Sequence, residues 1–357
     1  MDNYTAAPDD EYDVLIQGDL DSGEVDRTLA PELLSARQVL QFCCAVFALG
    51  VLDNALAVYA LVRFKGLKQV GDVCFLSLAV SNLCFLLPLP FWAHAAVRGE
   101  SPGNATCKVL VGLHSAGLYS QALLNTLLLV QGYLVFSQGS LATTLTTLPC
   151  AVVTSVLAWV LAAALSLPEA VFYKPQMERQ KHTCAFGKPH FLPVEEPFWK
   201  HALALKTNVL ALVLPLLVLI FCCAQMRKAQ SFRERWHDLR KPAFVLMGVF
   251  LLMWAPYSAV LFLSAFQEHL SLQGEKSSYH LAASIQVTQL IATAHCCVNP
   301  LLWLLLDQTV TRYLRGLFPR CSNVPFQSGG DPPRAEPRQG HDSPIELYSS
   351  VHQRQDA

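Results

Sequence analysis

Cysteine and histidine are the residues of this chain whose side chains could most readily do chemistry. The 357 residues include 12 cysteines and 11 histidines, and His295-Cys296-Cys297 sets a histidine directly before two adjacent cysteines. Adjacent residues on a helix point to different faces, so such a pair is expected to pack rather than to bind a metal ion. The chain also has no His-Glu-x-x-His pattern and no phosphate-binding glycine loop. We therefore expect no enzyme activity, no metal site and no cofactor.

The elements that must position these residues are long apolar segments. No Asp, Glu, Lys or Arg occurs between Lys108 and Glu169, which a water-facing surface could hardly tolerate. A helix rises about 1.5 Å per residue, so about 20 apolar residues cross a bilayer core. A soluble helical protein would instead alternate apolar and charged faces. We predict an all-α membrane protein, a bundle of seven spans at Gln38–Arg63, Gly71–Val97, Lys108–Phe136, Pro149–Phe172, His201–Met226, Pro242–Phe266 and Leu281–Leu306.

Positive charge in short loops orients the bundle. Arg63, Lys65 and Lys68 follow the first span, and six more basic residues lie between the fifth and sixth spans. Such loops are cytoplasmic, so we expect a multi-pass plasma-membrane protein with its N-terminus outside the cell. Glycosylation sequons at Asn3 and Asn104 fall on the side that is predicted to be outside.

The chain divides into four predicted parts. Residues 1–37 form an acidic outer tail without a cleavable signal peptide, and residues 38–306 form the bundle. Residues 307–318 have apolar side chains at helical spacing, which predicts a short amphipathic helix on the inner leaflet. Residues 319–357 are rich in Pro, Ser, Gly and Gln and are expected to be a disordered cytoplasmic tail. Cys321, just beyond the amphipathic helix, is a candidate for lipidation, although an unmodified thiol is nearly as good an interpretation.

Topology leaves two cysteines, Cys107 and Cys184, in the oxidising space outside the cell. We predict a disulfide between them that fixes the second outer loop to the third span. Gly132 lies 25 residues after Cys107, which is about 37 Å of helix. The third span therefore places Gln131-Gly132-Tyr133 at the inner surface.

The predicted spans contain Asn54, Trp159, Pro215, Trp254-Ala255-Pro256 and Asn299-Pro300. These landmarks resemble those of rhodopsin-like G-protein-coupled receptors. The run from His295 to Pro300 and the triplet Pro90-Phe91-Trp92 are similar to those of chemokine receptors. Three further segments resemble an atypical member of that family that is associated with chemerin binding: Ser155–Trp159, Tyr173–Met177 and Phe250–Tyr257. The resemblance runs to about Arg320.

Departures from the family pattern concern the switch that couples the bundle to G proteins. The family has Asp-Arg-Tyr where this chain has Gln131-Gly132-Tyr133. That arginine offers five donors in a fixed fork, and glycine offers none. Resemblance implies three more altered switch positions, with asparagine, tryptophan and cysteine in place of aspartate and two tyrosines: Asn82, Trp303 (after Asn299-Pro300) and Cys223. Together they predict little or no G-protein signalling. The alternative is ordinary sequence drift, with coupling to G proteins restored by other residues.

The outer tail and the family pocket predict the ligand. Nine acidic residues precede Arg27, the first basic residue, so this tail suits a basic protein and not a nucleic acid. The densest run is Asp9-Asp10-Glu11-Tyr12-Asp13. The family pocket maps onto Trp92, His114, Tyr119, Tyr257 and Gln289, where aromatic residues can equally be packing residues.

The leading interpretation is an atypical receptor that captures a basic chemoattractant protein at the cell surface and concentrates or presents it. Resemblance implies chemerin as the ligand, with C-C chemokines as further candidates and other chemoattractant receptors as candidate hetero-oligomer partners. The alternative is a conventional signalling C-C chemokine receptor with a degenerate switch. A channel or transporter is remote, because we expect no Asp, Glu, Lys or Arg deep inside the spans except Asp53.

Overall fold

The computed structural model describes residues 35–98, 103–137, 147–178, 181–187, 196–228, 242–271, 274–307 and 310–311. Seven helices in these ranges are long and apolar enough to cross a membrane. The predicted number of spans is therefore confirmed. The spans run over Arg37–Lys65, Val70–Ala95, Asn104–Ser137, Leu148–Phe172, Pro197–Lys228, Ala243–Ala265 and Lys276–Leu306.

Nine α-helices build these spans within the described ranges. The first, third, fourth, sixth and seventh spans each contain one helix: α1 (Ala36–Ala60), α4 (Asn104–Ser137), α5 (Leu148–Phe172), α8 (Pro242–Ala265) and α9 (Glu275–Leu306). The second and fifth spans contain two helices each: α2 (Val70–Leu86) with α3 (Leu89–Arg98), and α6 (Glu196–Asn208) with α7 (Leu214–Lys228). Two π-helical turns complete the first and fifth spans, at Leu61–Lys65 and Val209–Val213.

Proline explains why two spans are divided. Pro88 lies at the junction of α2 and α3, and the Phe91 and Trp92 amides restart the helix by donating to its carbonyl at 3.1 Å each. A proline nitrogen donates no hydrogen bond and its ring crowds the preceding turn. In the fifth span the π-helical turn ends at Val213, two residues before Pro215, where it accommodates the same defect.

A β-hairpin joins the fourth and fifth spans on the side where α4 begins. Strands β1 (Tyr173–Glu178) and β2 (Lys181–Phe186) pair antiparallel, with Pro175 opposite Cys184. A disulfide links Cys184 to Cys107, whose Cα atoms lie 5.9 Å apart. We call this side of the bundle the disulfide end, and the opposite side, where α4 finishes, the Gly132 end.

The third span is the central element and packs most extensively against the fourth and second spans. Its approach to the second span depends on Gly117, because a Cβ there would lie 2.6 Å from the backbone nitrogen of Phe85. Two clusters of buried apolar side chains fill the bundle. One extends from the disulfide end as far as Leu129 and Cys222, and the other joins the first, second, third, sixth and seventh spans at the Gly132 end.

Several predictions concern residues outside those that the structure describes. They are the acidic run Asp9–Asp13 with Tyr12, the sequon at Asn3, the tail cysteine Cys321, and most of the predicted amphipathic helix and all of the cytoplasmic tail, since only 310–311 are described after Asp307. The sequon residue Asn104 is described, and it is exposed at the first position of α4.

Candidate functional site

The first candidate site is the Gln131-Gly132-Tyr133 segment near the end of α4. Gln131 is buried, and its side-chain oxygen accepts a hydrogen bond from the Cys74 thiol of the second span at 3.2 Å. The Cys74 sulfur also lies 3.7 Å from the Ser155 hydroxyl of the fourth span. Tyr133 is half-buried and meets Phe221 of the fifth span edge-to-face, with ring centroids 6.3 Å apart. Cys74 therefore links the second span to Gln131 of the third and to Ser155 of the fourth through neutral contacts.

Gly132, the residue that the sequence resemblance matches to the family's arginine, faces the sixth span. A Cβ built on Gly132 would lie 3.5 Å from the Ala243 Cβ and 3.6 Å from the Phe244 ring. These are ordinary contact distances, so the start of the sixth span packs directly against this position. An arginine side chain would need the space that Ala243 and Phe244 now line. The site has an apolar wall and offers no cationic donor at this residue.

The altered residue Asn82 belongs to a group of amides in the middle of the bundle. Its amide donates to the Asn54 side-chain oxygen at 2.9 Å, and the Asn54 amide donates to the Cys296 carbonyl at 3.0 Å. The buried Asn299 side chain lies one helical turn beyond Cys296 and makes no hydrogen bond among the described residues. All these side chains are uncharged, so the group supplies oxygen atoms but no negative charge.

Trp303 occupies a different environment from this amide group. Its ring stacks on Phe75 of the second span, with centroids 4.2 Å apart and planes 13° from parallel. Pro300 is buried within α9, while Cys223 of the fifth span is half-buried. The contacts among the described residues therefore tie Asn82 to Asn54 and Trp303 to Phe75. They do not join the altered switch residues into one network.

An ion cluster fastens three spans together beside Trp303. The Lys65 ammonium, at the end of the first span, lies 2.7 Å from both Asp72 and Asp307. Asp72 also accepts from the Gln69 amide at 2.9 Å, and Asp307 from the Val310 amide at 3.1 Å. The same ammonium stands 5.7 Å from the centroid of the Trp303 ring. The carboxylates thus hold the lysine, and Asp72 also caps the start of α2.

The second candidate site is a pocket towards the disulfide end. Four of the five residues mapped from the family pocket line it: His114, Tyr119, Tyr257 and Gln289. The fifth, Trp92, is buried and packs edge-to-face on His114, with centroids 4.7 Å apart. Phe85 and Trp254 also line the pocket, so its wall is largely aromatic. The sequence did not single out four polar residues that line the pocket, Ser115, Glu169, Thr207 and Thr293.

Glu169 takes part in a buried cluster that joins the third, fourth and fifth spans. Its carboxylate accepts a short hydrogen bond from the Tyr119 hydroxyl and pairs with the Lys206 ammonium at 2.7 Å. The Tyr119 hydroxyl also lies 3.1 Å from the Thr207 hydroxyl. The expectation that Asp53 is the one charged residue deep in the spans is therefore wrong. Asp53 is only half-buried, whereas the Glu169 side chain is 2% exposed.

Seven spans, a disulfide between the third span and the following hairpin, and an aromatic pocket near that disulfide define a class of receptor. The pattern of the seven-transmembrane receptors of the rhodopsin family matches residues 53–303. The chain therefore belongs to the rhodopsin family of seven-transmembrane receptors, a family of receptors and not of enzymes. It is a multi-pass protein of the plasma membrane.

Within that family the chain is similar over its length to proteins named C-C chemokine receptor-like 2. The mouse protein is 69% identical, over 100% of this chain and 99% of the relative, and the human protein is 51% identical, over 97% and 100%. Human C-C chemokine receptor type 1 is 35% identical over 87% of this chain and 88% of its own. The chain is thus a chemokine-receptor-like G-protein-coupled receptor.

Proposed function

We propose that this receptor captures a basic chemoattractant protein at the cell surface and couples little or not at all to G proteins. Chemerin is the proposed ligand, with C-C chemokines as further candidates. In this proposal the N-terminus and the disulfide end face outward, and the Gly132 end faces the cytoplasm. Captured ligand is concentrated at the surface or presented to other chemoattractant receptors, with which the protein forms hetero-oligomers.

The observation that carries the proposal is the packing at Gly132. An incoming G-protein helix needs a partner at the inner mouth of the bundle, and a fixed cationic fork is the strongest donor that a single side chain can offer there. Here the residue has no side chain, and Ala243 and Phe244 close the space in front of it. The neighbouring Gln131 is held by Cys74 rather than by a charged partner. Residue 132 therefore supplies no cationic donor, and residue 131 supplies no acid that would restrain such a donor.

The ligand half of the proposal depends on charge and on resemblance. The tail of residues 1–37 carries nine acidic residues before its first basic one, and an acidic chain of this kind accelerates the approach of a basic protein. The relatives that it resembles are named as receptors or receptor-like proteins for C-C chemokines. Chemerin is proposed as the ligand because three segments resemble an atypical receptor that is associated with chemerin binding. Two of them, Ser155–Trp159 and Phe250–Tyr257, lie in the fourth and sixth spans.

The test measures capture and coupling on one preparation. Full-length receptor is purified in detergent, and labelled chemerin binding is recorded alongside ligand-dependent nucleotide exchange on each inhibitory G protein. We expect saturable binding without exchange. Human C-C chemokine receptor type 1, prepared in the same way with an agonist chemokine, is the positive control for exchange. Robust exchange by the natural sequence would favour the conventional signalling receptor instead, and absence of binding would remove chemerin as the ligand.

A further inference from the structure

The Glu169 and Lys206 pair has a feature that the function proposed above does not use. Glu169 is the one carboxylate among the described residues that line the pocket, and no lysine or arginine lines it. Lys206 reaches that carboxylate from the fifth span and is not itself a lining residue. The negative charge on the pocket wall therefore already has a positive partner, which approaches from outside the pocket.

The Lys206 ammonium donates two hydrogen bonds, to Leu165 and Glu169, and makes a further ion-pair contact with the second Glu169 oxygen. It lies 2.7 Å from each of the two Glu169 carboxylate oxygens and 2.7 Å from the Leu165 carbonyl oxygen. The ammonium also stands 5.0 Å from the centroid of the Tyr119 ring, within the range of a cation–π contact. An ammonium ion on an alkyl stem thus has a set of close partners here. The set consists of a carboxylate, a carbonyl and an aromatic ring.

The cluster is also shielded from water. The Glu169 side chain is 2% exposed and the Lys206 side chain 19% exposed, so little solvent screens the attraction between them. A buried carboxylate without a partner is strongly unfavourable and would attract any cation that can reach it. Because Glu169 lines the pocket, a ligand cation would reach it from the pocket side.

We propose that Lys206 is a resident cation that occupies a latent ammonium site on the pocket wall and so keeps basic ligand groups out of the pocket. This inference deepens the proposed function, because it assigns capture of a basic protein to the outer surfaces and not to the pocket. It makes Lys206 a residue that determines specificity. The pocket accepts neutral groups, and an ammonium or guanidinium group enters only when Lys206 is absent.

The experiment removes the lysine side chain by substitution and supplies a small amine in solution in its place. Full-length receptor in detergent is compared with Lys206→Ala and with the matched double variant Glu169→Gln/Lys206→Ala, and Tm is measured against n-butylammonium chloride. Sodium chloride of equal concentration and n-butanol control for ionic strength and for the alkyl chain. We expect a saturable rise in Tm of about 2 °C or more for Lys206→Ala alone, because a ligand that binds the folded state stabilises it. The natural chain and the double variant should respond to butylammonium no more than to the controls.

Two other outcomes of this measurement would contradict the inference. A natural chain that responds as strongly as Lys206→Ala would show that the site is open, and an equal response of the double variant would show that Glu169 is not the acceptor. If Lys206→Ala folds only when butylammonium is present, that recovery supports the site. If Lys206→Ala does not fold at all, the reciprocal variant Glu169→Gln is measured with butyrate, a small carboxylate that can pair with Lys206. We expect a saturable rise in Tm. If Tm does not respond to butyrate, the Glu169 and Lys206 pair is only a structural contact. No protein ligand or G protein is used, so this test can fail without the proposed function failing.

Discussion

Two glycines of the third span have opposite environments, and the difference predicts opposite effects of one substitution. Gly132→Ala adds a methyl group at ordinary contact distance from Ala243 and Phe244. Alanine favours a helix interior over glycine by about 1 kcal/mol, so we expect a rise in stability of up to about that amount. Gly117→Ala instead sets a Cβ 2.6 Å from the Phe85 nitrogen and 2.8 Å from its Cα. Backbone must then move, at a cost of about 1–3 kcal/mol.

Thermal unfolding of the two variants in the same detergent checks this prediction. Each variant is the control for the other, because both make the same chemical change in the same span. A loss of stability in Gly132→Ala would show that the sixth span lies tighter against the third than these distances indicate. An unchanged Gly117→Ala would show that the second span, which carries Phe85, can shift away from residue 117 without cost.

Restoring the family motif tests how much of the proposed loss of coupling depends on it. The double variant Gln131→Asp with Gly132→Arg supplies the acid and the cationic fork. We expect partial coupling at most, because Asn82, Trp303 and Cys223 remain and because the arginine must displace Ala243 and Phe244. Ligand-dependent nucleotide exchange is the measurement, and Gln131→Asp alone is the control. Full coupling from the pair would show that the other three altered positions matter little.

The buried ion pair shows what could not be predicted about the site. Glu169 and Lys206 lie 37 residues apart, each a few turns or less from an end of its span. In the sequence such charges look like loop residues that mark the boundary of a helix. Their pairing depends on the fourth and fifth spans lying side by side. The periodicity of either span does not predict which other span packs against it. Tyr119 and Gln289 could be mapped onto the pocket because the family pattern places them.

At the level of the elements, the Lys65 cluster joins the ends of the first, second and seventh spans. Lys65→Met would leave Asp72 and Asp307, whose side chains are 2% and 9% exposed, without their shared cation. Breaking a buried charge cluster by removing one partner costs about 3–5 kcal/mol. We expect a lower Tm and earlier unfolding in denaturant.

Two matched variants separate charge from packing at this cluster. Lys65→Arg keeps the cation and should retain most of the stability. Adding Asp72→Asn and Asp307→Asn to Lys65→Met removes the unpaired charges and should recover part of the loss. If Lys65→Met unfolds at the same temperature as the natural chain, the cluster does not hold the spans together.

The helices also show how far hydropathy determines the fold. The third span was predicted at Lys108–Phe136 and is observed at Asn104–Ser137, a small difference at each end because both ends are polar. The second span was predicted as one segment, Gly71–Val97, and it is two helices separated at Pro88. The length of the break could not be predicted, since it depends on how Trp92 and Phe85 pack against the third span. Apolar length determines how many spans there are, and side-chain packing determines their internal breaks.

At the scale of the whole molecule, the proposal separates capture at one end from the lost coupling at the other. The third span carries both features, since Cys107 and Gly132 are 25 residues and about 37 Å apart on one helix. Between them lies Tyr119, whose hydroxyl is already held by Glu169 and Thr207. A ligand that cannot displace Lys206 finds the Glu169 carboxylate already paired, so it has no unpaired charge to bind in this part of the bundle. Capture outside is then independent of movement inside.

That separation predicts that the acidic tail sets the rate of capture. Deleting residues 1–30 should slow the association of labelled chemerin by about 10-fold or more, because electrostatic steering raises association rates by that order. Salt should act in the same direction, since the screening length falls from about 8 Å at physiological ionic strength to about 3 Å at 1 M. The control is a tail of natural length in which the nine acidic residues before Arg27 are replaced by Asn and Gln. It should bind as slowly as the deletion and lose most of the salt dependence. Association that is indifferent to the deletion, to the neutral tail and to salt would place the capturing surface on the bundle and remove the tail from the mechanism.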